Sequence, residues 1–79
     1  MKINEAVAKR VEQLLEKQSR TQYAVAKEGG ISNSTFCTTL SGRCRSRVDT
    51  VLNICRGFNI TLEEFFGSEL FSKDNLSDD

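Results

Sequence analysis

Apolar side chains recur along this chain at the spacing of a helix, and polar punctuation divides the recurrence into five runs. Val7, Val11, Leu14 and Leu15 fall at i, i+4, i+7 and i+8, with Glu5, Lys9, Glu12, Glu16 and Lys17 between them. This predicts an amphipathic helix from about Asn4 to about Lys17. After Gln18-Ser19-Arg20 a second helix opens at Thr21, whose hydroxyl suits an N-cap, and turns Val25 and Ala26 inward. Gly30 tolerates the positive φ that follows a helix end, and Ile31 precedes the cap Ser32 as a staple for Phe36. A third helix then runs over 33–41 with Phe36 and Leu40 on its inner face. Val51, Leu52, Cys55 and Phe58 predict a fourth helix from about Val48, opened by Ser46 and Asp49 at capping-box spacing and closed by Asn59 in the left-handed region. Thr61-Leu62-Glu63-Glu64 forms another capping box and starts a short fifth helix carrying Phe65 and Phe66. From Ser68 the chain becomes acidic and polar, with fraying expected beyond about Phe71. No stretch alternates at the period of a strand. The fold class is therefore all-α: a compact five-helix domain over 1–67 and an acidic, partly disordered tail over 68–79.

Composition narrows what such a domain does. A chain of 79 residues is one domain that buries only roughly 60% of its unfolded surface, too little for a deep catalytic cavity. Three Cys and no His leave neither a disulfide framework nor the usual zinc ligand sets. The missing His also removes the commonest general base, so neither an enzyme, a cofactor, a metal nor a small-molecule substrate is expected. No apolar run approaches the ~18 residues of a membrane span, and MKINEAVAKR lacks the apolar core of a signal peptide, which points to a cytoplasmic protein.

Net charge is zero, yet its distribution is lopsided. Residues 1–56 hold ten Lys/Arg against five acids, whereas residues 57–79 hold Lys73 against six acids. A basic working surface and an acidic tail fit that division. Within the basic part, the third helix turns Asn33, Ser34, Cys37 and Thr38 outward, short side chains able to meet base edges. Singly, such residues near a helix start are caps or surface filler; clustered on one face they form a candidate reading surface. Arg43, Arg45 and Arg47 alternate through the loop after Gly42, where guanidinium groups can fork onto phosphate oxygens. Thr21 and Gln22 stand at the start of the second helix, where free backbone N–H groups favour an anion.

Three blocks in order give the chain a family likeness: Thr21-Gln22 with Val25-Ala26; Gly30-Ile31-Ser32 with Ser34-Thr35-Phe36 and Gly42; and Asp49-Thr50-Val51-Leu52 with Ile54 and then Asn59 to Phe66. Over about residues 4–66 the chain resembles the Cro/C1-type (XRE-type) helix-turn-helix regulators of bacteria and phages. That resemblance implies a lambda-repressor-like five-helix domain with the helix-turn-helix at helices two and three. It implies sequence-specific binding of double-stranded DNA, with the third helix in the major groove, and regulation of transcription as a repressor. By position, Asn33, Ser34 and Thr38 resemble the base-reading residues, with Cys37 beside a thymine methyl. Gln22 resembles the phosphate clamp, and Arg43, Arg45 and Arg47 resemble the backbone-contacting loop. A homodimer is a further expectation, with Phe65, Phe66, Leu70 and Phe71 as candidate contacts unless they only close the core. The chain departs from the family at Leu15 and Leu40, which replace an ion pair, at Arg20 in place of Leu, and at Ser46 in place of Pro. Gly57 lies inside helix four, at a cost of roughly 1 kcal/mol against Ala. Two other readings compete. The fold could serve as a protein-interaction module acting through its acidic C-terminal segment, and oxidation of Cys37 or Cys44 could obstruct DNA.

Overall fold

The computed structural model describes residues 1–77 as five α-helices and a short 3-10 helix: α1 (Ile3–Gln18), α2 (Gln22–Gly29), α3 (Asn33–Ser41), α4 (Val48–Phe58), α5 (Leu62–Phe66) and Glu69–Phe71. No strand occurs among the described residues. Hydroxyl caps start α2, α3 and α5: Thr21, Ser32 and Thr61 accept from the N–H groups of Ala24, Thr35 and Glu64, each at 3.1 Å. Helix ends fall where the backbone turns left-handed, at Ser19, Gly30, Gly42 and Asn59. Each cap satisfies N–H or C=O groups that a helix terminus otherwise leaves without a partner.

The opening of α4 departs from the sequence expectation. Arg47, not Ser46, is the N-cap, and it makes no side-chain capping bond. The Asp49 carboxylate instead accepts from the Thr50 N–H at 2.9 Å and pairs with Arg47 Nε at 3.2 Å. Drawn to these neighbours, it closes no box with Ser46.

One apolar cluster joins all five helices. Val7, Val11 and Leu14 of α1 meet Val25 of α2, Phe36 of α3, Ile54 and Phe58 of α4 and Phe65 of α5. Leu15 and Leu40 lie half-buried against this core. Apolar side chains there carry none of the desolvation cost that charged ones would.

Side chains of α1 and the α1–α2 connection finish the ends of other helices. Arg10 donates to the carbonyls of Phe65 (2.7 Å) and Glu64 (2.8 Å), closing α5. Gln18 donates to Phe58 O at 3.0 Å, and Arg20 donates to Gly57 O, closing α4. Arg20 also holds Glu28 at 2.9 Å. The Arg20 cation thus stands at the negative end of α4.

Gly57 likewise acquires a reason. It sits where α4 crosses α2, and a β-carbon there would strike the backbone oxygen of Val25 and lie 2.9 Å from Val25 Cγ1. Gly29 meets the Asn53 carbonyl in the same crossing. Two glycines, one on each helix, let the backbones touch.

Cys55 is wholly buried in this core. Burial pushes its thiol up from 9.0 to about 11, against a smaller downward pull from Arg10. Because the folded value lies above the unfolded one, the native state retains a proton that the unfolded state loses. Its contribution to stability is therefore full below about pH 9 and declines as pH rises toward 11. Cys37 and Cys44 are exposed. A thiol-reactive chromogen at neutral pH should thus titrate two thiols quickly and the third only on unfolding; three fast thiols would contradict the packing.

The segment expected to fray beyond Phe71 lies against the start of α1. Ser77 N–H donates to Met1 O at 2.8 Å, and the Met1 ammonium donates to Asn75 O at 2.6 Å. Asp78 and Asp79 of the expected tail lie outside the described residues. Among the candidate dimer contacts, Phe65 requires correction: it is wholly buried within its own chain and has no surface to offer a partner. Its ring belongs to the core cluster together with Ile54 and Phe58 of α4. Phe66 remains exposed, stacked edge-on against Phe65 and Phe71 at 4.9 and 4.8 Å, while Leu70 and Phe71 are half-buried.

Candidate nucleic-acid interface

The outer surface of α3 follows from its inner one. With Phe36 and Thr39 buried and Leu40 half-buried, Ser34 and Thr38 stand exposed on the opposite side as a ridge, flanked on one side by the exposed Cys37 and Asn33. Their hydrogen-bonding states differ. Thr38 Oγ1 donates to Ser34 O at 3.0 Å, so its hydroxyl hydrogen is committed and its lone pairs face outward as acceptors. The side chains of Asn33 and Ser34 have no partner among the described residues and remain able both to donate and to accept. Cys37 Sγ accepts from Gln22 Nε2 at 2.7 Å, which ties the first residue of α2 to the middle of α3.

That contact changes how Gln22 and Thr21 present themselves. Gln22 is half-buried, with its amide nitrogen turned to Cys37, so its carbonyl oxygen and the N–H groups of the α2 start are what it offers outward. Thr21 is exposed, and its hydroxyl accepts from Ala24 while keeping its own hydrogen to donate. The start of α2 thus has a hydroxyl and free N–H groups on one side of the ridge.

Concave surfaces border the ridge on two sides. A groove of about 230 Å³ runs between α3 and the loop that follows it, lined by Ser34, Thr35, Thr38, Thr39, Cys44, Arg45, Ser46, Arg47 and Thr50. Six hydroxyls and two guanidinium groups line it, and no carboxylate does among the described residues. Arg43, Arg45 and Arg47 are all exposed, and only Arg47 has a carboxylate partner among the described residues. That pair, with both side chains mostly in solvent, leaves the Arg47 charge available. A second recess of about 220 Å³ lies toward α2, lined by Tyr23, Ala26, Lys27, Ile31 and Asn33.

The loop is anchored where it leaves α3. Asn4 donates to the Gly42 carbonyl, and the Ala8 β-carbon lies 3.5 Å from the position a Gly42 side chain would occupy. Gly42 is left-handed at φ 69°, so the chain turns sharply from the ridge into the basic loop.

The structure brings Ser34 and Thr38 together with Arg45 and Arg47 around one groove, places Asn33 at the recess toward α2, and turns Cys37 to Gln22. Tyr23, Lys27 and Thr39 carry no role in the sequence reading, and Thr35 and Thr50 enter it only through the family likeness. Tyr23 and Lys27 stand four apart, a spacing that places them on one helical face, but that face was assigned no function.

Among the described residues no group of three or more His, Cys, Asp or Glu could hold a metal ion, and no helix is long and apolar enough to cross a membrane. No protein-family model, curated protein or solved structure matches the chain.

Proposed function

We propose that this chain is a sequence-specific double-stranded DNA-binding regulator in which α2 and α3 act as a helix-turn-helix and α3 enters the major groove. The observation that carries the reading is the α3 ridge of short polar side chains set beside a groove whose described lining is hydroxyls and arginines without a carboxylate. Asn33 is free to bond adenine bidentately, Ser34 to meet either edge, and Thr38, as an acceptor, to take a base amino group. Thr21, the start of α2 at Gln22, and Arg43, Arg45 and Arg47 hold phosphates and set the register. Cys37 packs beside the reading face, its sulfur already engaged by Gln22.

By occupying a promoter or operator the protein acts as a cytoplasmic repressor without catalysis. Pairing on half-sites about 34 Å apart raises its affinity, with Phe66, Leu70 and Phe71 as the contacts. A gel-shift titration with random duplex DNA at low and moderate salt tests the reading. Absence of binding at low salt refutes it and leaves the protein-interaction module through the C-terminal segment. Selection of bound sites from a random library then exposes the operator. Asn33→Ala should lose roughly tenfold of preference at one base position, on the scale of a bidentate base contact, with folding intact because the residue is exposed. Identical selected sites for variant and wild type would remove Asn33 from the readers.

A further inference from the structure

The α3 ridge has a groove on one side that the arginine loop explains, and a recess on the other that nothing yet explains. Ala26 and Ile31 give the recess an apolar floor, with Ala26 buried and Ile31 packed against the core. Its rim is formed by the exposed Tyr23, Lys27 and Asn33. Tyr23 is 66% exposed, far more than a ring serving the core would be. Lys27 is exposed and has no carboxylate partner among the described residues. The adjacent acid, Glu28, is taken by Arg20 at 2.9 Å. The recess is thus an apolar surface edged by one cation and one neutral donor.

We propose that this recess seats a backbone phosphate of the DNA strand opposite the one held by Arg45 and Arg47. The inference rests on the DNA-binding reading and adds a second wall to it. A major groove about 12 Å wide is bounded by two phosphate strands, so a helix inserted into it meets negative charge on both flanks. A sugar-phosphate unit has an apolar sugar face and an anionic phosphate, which match the Ala26–Ile31 floor and the Tyr23–Lys27 rim. Asn33 belongs both to the ridge and to this recess, so the base it reads and the phosphate seated here lie close together. Tyr23 and Lys27 become phosphate-contacting residues beside Asn33, and they take no part in reading the base.

The test uses the full chain and a selected duplex, titrated across a salt series. Replacing Lys27 by Gln removes one ionic contact. The slope of log affinity against log salt should fall in magnitude by about 0.9, with roughly eightfold weaker binding at 0.1 M salt and unchanged base preference. Tyr23→Phe should weaken binding with the slope unchanged, because the lost hydroxyl is neutral. Phosphate-ethylation interference should show one sensitive phosphate restored in Lys27→Gln, on the strand opposite the phosphates whose sensitivity Arg45→Ala relieves. Inorganic phosphate titrated against DNA-free protein should leave the Tyr23 and Lys27 resonances unmoved; saturable shifts there, with normal DNA slopes in Lys27→Gln, would identify a free-anion site and overturn the strand assignment. If wild-type protein binds DNA and Lys27→Gln keeps its slope and footprint, the inference fails alone. If wild type binds no duplex at low salt, the DNA reading fails and takes this inference with it.

Discussion

Replacing Arg43, Arg45 and Arg47 together by Ala should nearly abolish DNA binding while leaving the fold in place. On the DNA-binding reading each guanidinium displaces a counterion, so losing three lowers the salt slope by about 2.7 in magnitude. If the two affinity lines converge near 1 M salt, that slope difference corresponds to a loss of roughly 500-fold at 0.1 M. The effect should be the same for every sequence, because phosphate contacts position the protein without reading bases. Folding is spared because all three side chains are exposed, and the one ion pair they make among the described residues, Arg47 with Asp49, is solvated on both sides. Such a pair stabilises by at most about 1 kcal/mol. Circular dichroism and thermal unfolding should match wild type; a folded triple variant with unaltered binding would exclude the loop from the interface.

The second large effect concerns the scaffold beneath that interface. Gly57→Ala should destabilise the protein by about 2 kcal/mol or more, although Gly→Ala within a helix ordinarily gains nearly 1 kcal/mol. The added β-carbon meets the Val25 backbone oxygen, which cannot rotate away as a side-chain tip can. Relief requires α2 and α4 to move apart, opening the core between Val25 and Phe58. For a domain of this size the melting temperature should fall by roughly 10 °C. Gly30→Ala is the comparison: nothing lies within 4 Å of its added carbon, and only the left-handed backbone at φ 72° opposes it, at about 1–2 kcal/mol. Gly57→Ala should therefore be at least as damaging as Gly30→Ala despite having an ordinary helical backbone. A Gly57→Ala protein more stable than wild type would show that the two helices do not touch here. Since α2 carries Thr21 and Gln22 and braces α3 through Cys37, loosening the α2–α4 crossing should also weaken DNA binding in proportion to the fraction unfolded.

The helical architecture was legible because it rests on interactions only a few residues long. Thr21, Ser32 and Thr61 cap the helices they precede, Gly30 and Asn59 end the ones they follow, and the period of Val7, Val11 and Leu14 selects the buried face. Where a local rule failed, a local competitor prevailed: Asp49 turned to Thr50 and Arg47, so the box with Ser46 did not form. The outward direction of Ser34 and Thr38 was equally readable, because burying Phe36 decides it, whereas Asn33 shares the Phe36 side and is exposed at the edge of the recess toward α2.

What only the tertiary structure decided involves groups far apart in the chain. Arg10, Gln18 and Arg20 close helices whose carbonyls lie 37 to 55 residues away, and no pattern within a short window announces such pairs. Gly57 read as a defect until the Val25 carbonyl was found against it. Phe65 and Phe66 are adjacent and alike in sequence, and only the approach of α5 to the core makes one interior and the other surface. The recess of Tyr23, Lys27 and Asn33 also arises from folding, since it exists only once the turn at Gly30 sets α2 against α3. Caps, periods and charges are properties of neighbours along the chain and were present in the sequence; close approaches and concave surfaces are properties of elements packed together, and had to wait for the fold.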